Sequence, residues 1–191
     1  MIYPIVAYGD PILKKVTKEI EKGSIDIKKL SEDMFETMNN ANGVGLAAPQ
    51  IDMGIRLFVV NGKNAAEEEE IVEFKKVFVN PEIISENGEA WSYVEGCLSI
   101  PTIREEIIRQ KVVRVHYFDE NWNEHEEEFE GVKARIILHE YDHLEGVLFT
   151  DHLSGLQKRV LKSKLLNISK GNVEIDYKMK FPLKKKEIKA I

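Results

Sequence analysis

The apolar positions of the chain change period several times, and the changes mark its elements. From Asp26 to Met38 the residues Ile27, Leu30, Met34 and Met38 recur at three- and four-residue intervals, the spacing of one face of an amphipathic helix. "NNANG" (39–43) then places Asn and Gly where a helix breaks. "IRLFVV" (55–60) and "VFVN" (77–80) are β-branched and aromatic runs and read as strands. Between them, "NGKNAAEEEEIVEFKK" (61–76) is polar and charged and reads as a surface loop or insertion. "VVRVHYF" and "EHEEEFE", joined by "DENWN", read as a hairpin with one wet, acidic strand. His116 and His125 fall on it and read as ordinary strand-surface residues.

Cap signals sharpen the ends. "GDPILKK" opens a helical turn with Asp10 as N-cap and Pro11 at the first helical position. "LSGLQKRVLKSKLL" reads as an amphipathic helix, with Leu156, Val160 and Leu161 on one side and a capping box of Ser154 and Gln157. There is no internal repeat. Residues 1–170 read as a single catalytic domain and 171–191 as a C-terminal tail, partly disordered or a short strand. Strands interleaved with few helices give an α+β class: mixed and antiparallel sheets packed around a central buried helix, plus a C-terminal helix.

That central helix runs from Val132 to Glu145 and stops at Gly146. Its core, "ARIILHEYDHL", is apolar on nearly every face, as in a buried helix. It nevertheless carries His139, Glu140 and His143. Buried ionisable groups are costly unless paired or bound to a metal. The two histidines sit one turn apart on one face, so both imidazoles reach one ion. Glu140 is rotated by about 100° from His139, beside such an ion but outside its ligand set. This H-E-x-x-H pattern is the two-ligand, one-base arrangement of a hydrolytic metal site.

Such a site normally takes three protein ligands. The continuation that ends in a third histidine is excluded, because Phe149 stands in its place. A glutamate from a later helix is a weak alternative, since no acidic residue occurs from Ser154 until Glu174. Asp151 and His152 read as loop residues. The remaining soft donor is Cys97 in "EGCLSIP", and a thiolate suits Zn or Fe. Spacing alone does not bring it to the helix. Separately, "GVGLAAPQ" (43–50) is rich in small residues, so a ligand backbone could approach closely. It ends in Gln50, whose amide could donate to a developing oxyanion.

Composition narrows the setting. The chain has 191 residues, enough for a substantial core, and one cysteine, so no internal disulfide forms. No signal-peptide pattern and no run of about 18 apolar residues is present, which points to the cytoplasm and away from membranes. The net charge is −6, yet residues 154–191 hold eleven Lys and Arg against three Asp and Glu. A basic end on an acidic body suits an anionic partner such as RNA or membrane, or simply a solvated helix and tail.

"GVGLAAPQ" (43–50), "EGCLS" (95–99) and "HEYDH" (139–143), in that order, resemble the peptide deformylase family. The resemblance extends from "DPILKK" through "HLEGVLFTDHLS". One departure is Leu138, where the family usually has Gln. The resemblance implies Cys97, His139 and His143 as metal ligands, usually for Fe2+, with Zn2+, Ni2+ or Co2+ as substitutes. It implies Glu140 as general acid/base, Gln50 and the Leu98 N–H as oxyanion donors, and Gly45 against the bound peptide. The substrate implied is an N-formylmethionyl peptide, hydrolysed to formate and a free N-terminus. Val44 and Ile136 are candidate walls of the methionine pocket. An extended peptide would pair near Gly45 and near "YVEG". The basic C-terminal region could meet ribosomal RNA; DNA and membrane are not expected partners. The competing readings are an endopeptidase with another third ligand and a non-catalytic metal-binding module. Neither accounts for the two motifs that accompany the helix.

Overall fold

The computed structural model describes residues 1–65 and 71–183. Its elements in chain order are β1 (Ile5–Val6), α1 (Ile27–Asn40), β2 (Gly45–Ala47), β3 (Leu57–Asn61), β4 (Lys75–Asn87), β5 (Trp91–Cys97), β6 (Ile100–Arg109), β7 (Val112–Phe118), β8 (Glu124–Glu130), α2 (Gly131–Leu144), α3 (Gly155–Lys170) and β9 (Met179–Lys180). Short 3-10 turns cover Pro11–Lys14, Ala48–Ile51, Gly62–Asn64 and Phe149–His152. The class is α+β, with a five-stranded antiparallel sheet in the order β2-β3-β4-β7-β8. β5 and β6 form a separate antiparallel hairpin, and β1 pairs with β9 in parallel.

The large sheet is covered on both faces. Phe58, Val60, Phe78, Val115 and Tyr117 pack with Ala134, Ile137 and Leu138 of α2. Leu57, Val59, Val77 and Val79 pack on the other side with Leu30, Met34 and Met38 of α1. β3 is therefore buried along its whole length, the reason its sequence is continuously apolar rather than alternating. On α1 the side chain of Asp26 caps the Lys29 N–H at 3.1 Å, and the apolar positions spaced three and four apart are buried together with Ser31, Asp33 and Thr37. At the opposite edge only Phe129 of β8 is buried. Its charged residues keep that edge from pairing with another chain. A third core joins β1, β6, Leu148, Phe149 and the inner face of α3.

Three expectations change. On α3, Leu156 and Val160 are exposed, and the buried apolar side is formed by Leu161, Leu165 and Ile168 instead. The segment 61–76 is not simply a surface loop. Ile71 is 1% exposed and Phe74 8%, both within the α2-facing core, and Lys75 already belongs to β4. Both apolar residues follow the acidic run Glu67–Glu70, which with Ala66 lies outside the described residues. β4 also continues well past residue 80, through a bulge between Val79 and Glu82. Asn80 sits there at φ 49°, its side chain hydrogen-bonded to both the N–H and C=O of Ile20. Polar residues and Pro81 hide this half of the strand from a hydrophobicity pattern. The tail beyond Gly171 supplies β9 up to Lys180, while residues 184–191 lie outside the described residues.

Candidate active site

α2 packs on β2, β3, β7 and β8 and brings His139 and His143 to Cys97 at the end of β5. The nitrogen donors of these histidines and Cys97 Sγ lie within 4.8 Å of one another. His143 Nε2 is 3.2 Å from the sulfur. His139 is 9% exposed and His143 1%. Three convergent soft and borderline donors in a sheltered position fit a divalent transition metal. Burial pushes the Cys97 thiol up, but the adjacent imidazoles of His143 and His139 outweigh it and bring the group down to about 5. The sulfur is thus held as thiolate, the ligating form. Burial disfavours the charged form of His139, but Cys97 and Glu95 together hold its pKa well above the usual value.

The orientation of His139 comes from a residue the sequence reading did not single out. Glu95 lies two residues before Cys97 on β5 and accepts from His139 Nδ1 at 2.8 Å. This fixes the ring and leaves Nε2 for the metal position. Glu95 is itself gripped by Arg109 through bonds of 2.7 and 3.1 Å and by Arg135 at 2.9 Å. Although burial raises its pKa, His139 and Arg109 hold it well below the carboxylate range. Arg109 continues to Asp142 at 2.8 Å, and Asp142 to His152 at 2.8 Å. The signal for this network was available: Arg135 interrupts an apolar helix one turn before His139. No partner for it could be named from sequence, because Glu95 and the carbonyls of Trp91 and Ile107 that it binds lie on β5 and β6.

Glu140 is 4% exposed, and burial pushes its carboxyl up to about 7 against the pull of the two imidazoles. Its Oε2 has no hydrogen-bond partner among the described residues. The carboxyl lies directly over β2. A methyl group on Gly45 would stand 2.3 Å from Glu140 Oε1 and 2.7 Å from Cδ. The small residue at 45 therefore makes room for the glutamate, in addition to any approach of a peptide.

Gln50 is 2% exposed in the 3-10 turn after β2. Its Oε1 accepts from Ala47 N–H at 2.8 Å, which aims Nε2 at Cys97 Sγ (3.4 Å) and Ser99 Oγ (3.3 Å). Leu98 follows the cysteine in the turn between β5 and β6. Val44, Gly45, Gln50, Cys97, Leu98, Ile136, His139 and Glu140 all line one cleft of about 770 Å³. The candidate residues thus meet in one place.

The histidines of the β7–β8 hairpin and Asp151 have partners of their own outside the cluster. His116 pairs with Glu124 and His125 with Asp119 on the β7–β8 hairpin. Asp151 binds Lys14. Phe149, in place of a third histidine, stacks on the His139 ring with centroids 6.1 Å apart. Leu138 is 3% exposed and belongs to the sheet-facing core, beside Ile83 and Tyr141 on a second cavity behind α2.

A sequence pattern for polypeptide deformylase matches residues 2–159. The peptide deformylase of Cytophaga hutchinsonii is 58% identical over 97% of this chain and 100% of its own, and that of Christiangramia forsetii 51% over 97% and 99%. A crystal structure of a peptide deformylase from Legionella pneumophila is 36% identical, covering 90% of this chain and 98% of its own with a TM-score of 0.79. With a cleft of this composition and relatives matched end to end, the chain belongs to the polypeptide deformylase family.

Proposed function

We propose that the cleft hydrolyses the formyl group of N-formylmethionyl peptides with Cys97, His139 and His143 as metal ligands, Glu140 as the proton carrier, and Gln50 and Leu98 as oxyanion donors. The observation that carries these assignments is the convergence of one thiolate and two imidazole donors within 4.8 Å, beside a buried carboxyl with an unpartnered oxygen. A divalent cation, Fe2+ by preference with Zn2+, Ni2+ or Co2+ as substitutes, supplies Lewis acidity and a water of lowered pKa.

The chain's own groups do the rest. Glu140, with its carboxyl near 7, takes the proton of the attacking water and later hands it to the departing amine. Gln50 Nε2 and the Leu98 N–H donate to the oxygen as it gains charge on the tetrahedral carbon. The Ala47 N–H holds the Gln50 Oε1 in place, so Nε2 exchanges one of its long contacts to Cys97 or Ser99 for the oxyanion without moving the amide far. The C–N bond breaks, and formate and a peptide with a free amine leave. Val44 and Ile136 wall the methionine side chain, and the peptide lies extended between β2 at Gly45 and β5.

Residues 1–170 are read as the catalytic domain and the remainder as a tail. Among the described residues no helix is long and apolar enough to cross a membrane. A cytoplasmic location and a docking role on ribosomal RNA for the basic α3 complete the reading. α3 exposes Lys158, Arg159, Lys162 and Lys164 on its outer surface.

The test is formate release from formyl-Met-Ala-Ser by the Fe2+-loaded protein, with Cys97→Ala and Glu140→Ala in parallel. Cys97→Ala should lose bound metal and activity together. Glu140→Ala should keep the metal and lose kcat by at least about a hundredfold. Full activity in either variant overturns its role.

A further inference from the structure

The chain after α3 lies beyond the matched family region, yet it returns to the reaction cleft. Gly171 ends α3 in the left-handed conformation at φ 76° and turns the backbone. β9 then pairs with β1, with Ile5 N–H bonded to Lys178 O at 2.8 Å and Ala7 N–H to Lys180 O at 2.9 Å. Lys180 is tied to Asp52 at 2.7 Å, and Leu183 N–H to Ser169 O at 3.0 Å. This register carries Glu174 to Tyr177 along the cleft wall. Tyr177 is half-buried, packs in the same core as Leu98, and donates its hydroxyl to the Leu98 carbonyl at 2.8 Å.

The turn it touches has little support from its own hairpin. The β5–β6 ladder breaks register between Gly96 and Cys97, and Cys97 pairs with Ile100 as the last rung. Leu98 and Ser99 are the two residues beyond that rung. Their carbonyls are held from outside the hairpin: Ser99 O by the Tyr8 N–H at 2.8 Å and Leu98 O by Tyr177. Both donors lie on the β1–β9 unit or next to it in sequence.

We propose that Tyr177 is a positioning residue for deformylation: its hydroxyl holds the Leu98 carbonyl and thereby restrains the turn that presents the Leu98 N–H to the oxyanion. The inference rests on the assignment of Leu98 as an oxyanion donor. A donor must be pre-aimed, since an N–H that reorganises during the reaction loses most of its benefit. Tyr177 touches neither substrate nor metal ligand in this role; it acts through Leu98. The tail is then part of the working enzyme, although it contributes no reacting group.

Tyr177→Phe removes the hydroxyl and keeps the ring in its packing. At equal metal content, kcat on formyl-Met-Ala-Ser should fall on the order of tenfold, a fraction of what deleting a whole oxyanion donor does, with KM within about twofold. Hydrogen exchange measured on fragments spanning residues 95–101 should accelerate in the same variant. Lys180→Ala loosens the tail from outside the cleft and should move both readings in the same direction by less. Unchanged exchange in Tyr177→Phe overturns the proposal at the hydrogen bond itself, whatever kcat does. Faster exchange with kcat within twofold of the parent overturns it through the Leu98 assignment. A lowered melting temperature with neither change leaves Tyr177 a packing residue and also refutes it.

Discussion

Substitution of Gly45 by alanine distinguishes two uses of the small-residue segment. If the glycine serves only to admit a peptide backbone, an added methyl should raise KM. The structure puts another group in the way. The new Cβ would lie 2.3 Å from Glu140 Oε1, 2.7 Å from Cδ and 2.8 Å from Cγ. Ordinary contact distances are about 3.5–4.0 Å, so the carboxyl must withdraw by roughly 1 Å. The backbone of β2 cannot yield instead, because Gly45 is paired with Val60 and the strand is buried throughout. Misplacing a reacting group by about 1 Å costs on the order of a hundredfold in rate, or about 2.7 kcal/mol in the barrier. Steady-state formate release from formyl-Met-Ala-Ser should therefore show kcat reduced about a hundredfold with KM changed by less than about threefold. Metal content, measured on the same preparation, should match the parent, since no ligand atom moves. A variant with parental kcat and a strongly raised KM would refute the packing argument and restore the simpler peptide-clearance reading.

Three further outcomes follow from the same geometry. Glu95→Gln leaves Arg109 and Arg135 facing a neutral group in a buried site; it should destabilise the fold by about 3 kcal/mol and weaken metal binding by about 10–100-fold. Urea denaturation and chelator competition read the two effects, and parental values in both would remove Glu95 from the site's support. Gly146→Ala forces an L side chain into φ 70° with its Cβ 2.7 Å from the Lys14 backbone; a loss of about 2 kcal/mol or more is expected, and an unshifted denaturation midpoint would contradict it. Burial raises the Asp119 carboxyl, but Asn123, His125 and the Asn121 N–H outweigh it and bring it down to about 2. Because the folded value lies below the unfolded one of about 3.9, its stabilisation is complete above about pH 4 and disappears as pH falls through about 2. The melting-temperature gap between the parent and Asp119→Asn should accordingly narrow across that window; a gap independent of pH would show that the carboxylate is not the cause.

Much of the fold was legible where local chemistry and tertiary position agree. The β7–β8 hairpin occupies the predicted residues, because alternating burial leaves an alternating sequence. α3 carries the predicted Ser154–Gln157 capping box, which depends only on four consecutive residues. β6 and the second half of β4 were not singled out. Their residues alternate weakly, and their pairing partners are what make them strands. The segment 61–76 misled for a related reason: average polarity outweighed Ile71 and Phe74, although both are buried in the core.

The site divides in the same way. By itself the sequence determined that His139 and His143 share a helical face, that Glu140 stands beside them, and that Phe149 cannot be a ligand. Those facts follow from helical periodicity and side-chain chemistry within a single element. The meeting of Cys97 with that helix, the clamp of Glu95 by Arg109 and Arg135, the nesting of Glu140 on Gly45 and the return of Tyr177 to Leu98 were decided by the tertiary structure alone. Apart from the Glu95–Arg109 pair, which lies within the β5–β6 hairpin, each joins elements separated by tens of residues, and only the packing of the sheet, the hairpin and α2 into shared cores sets their distances.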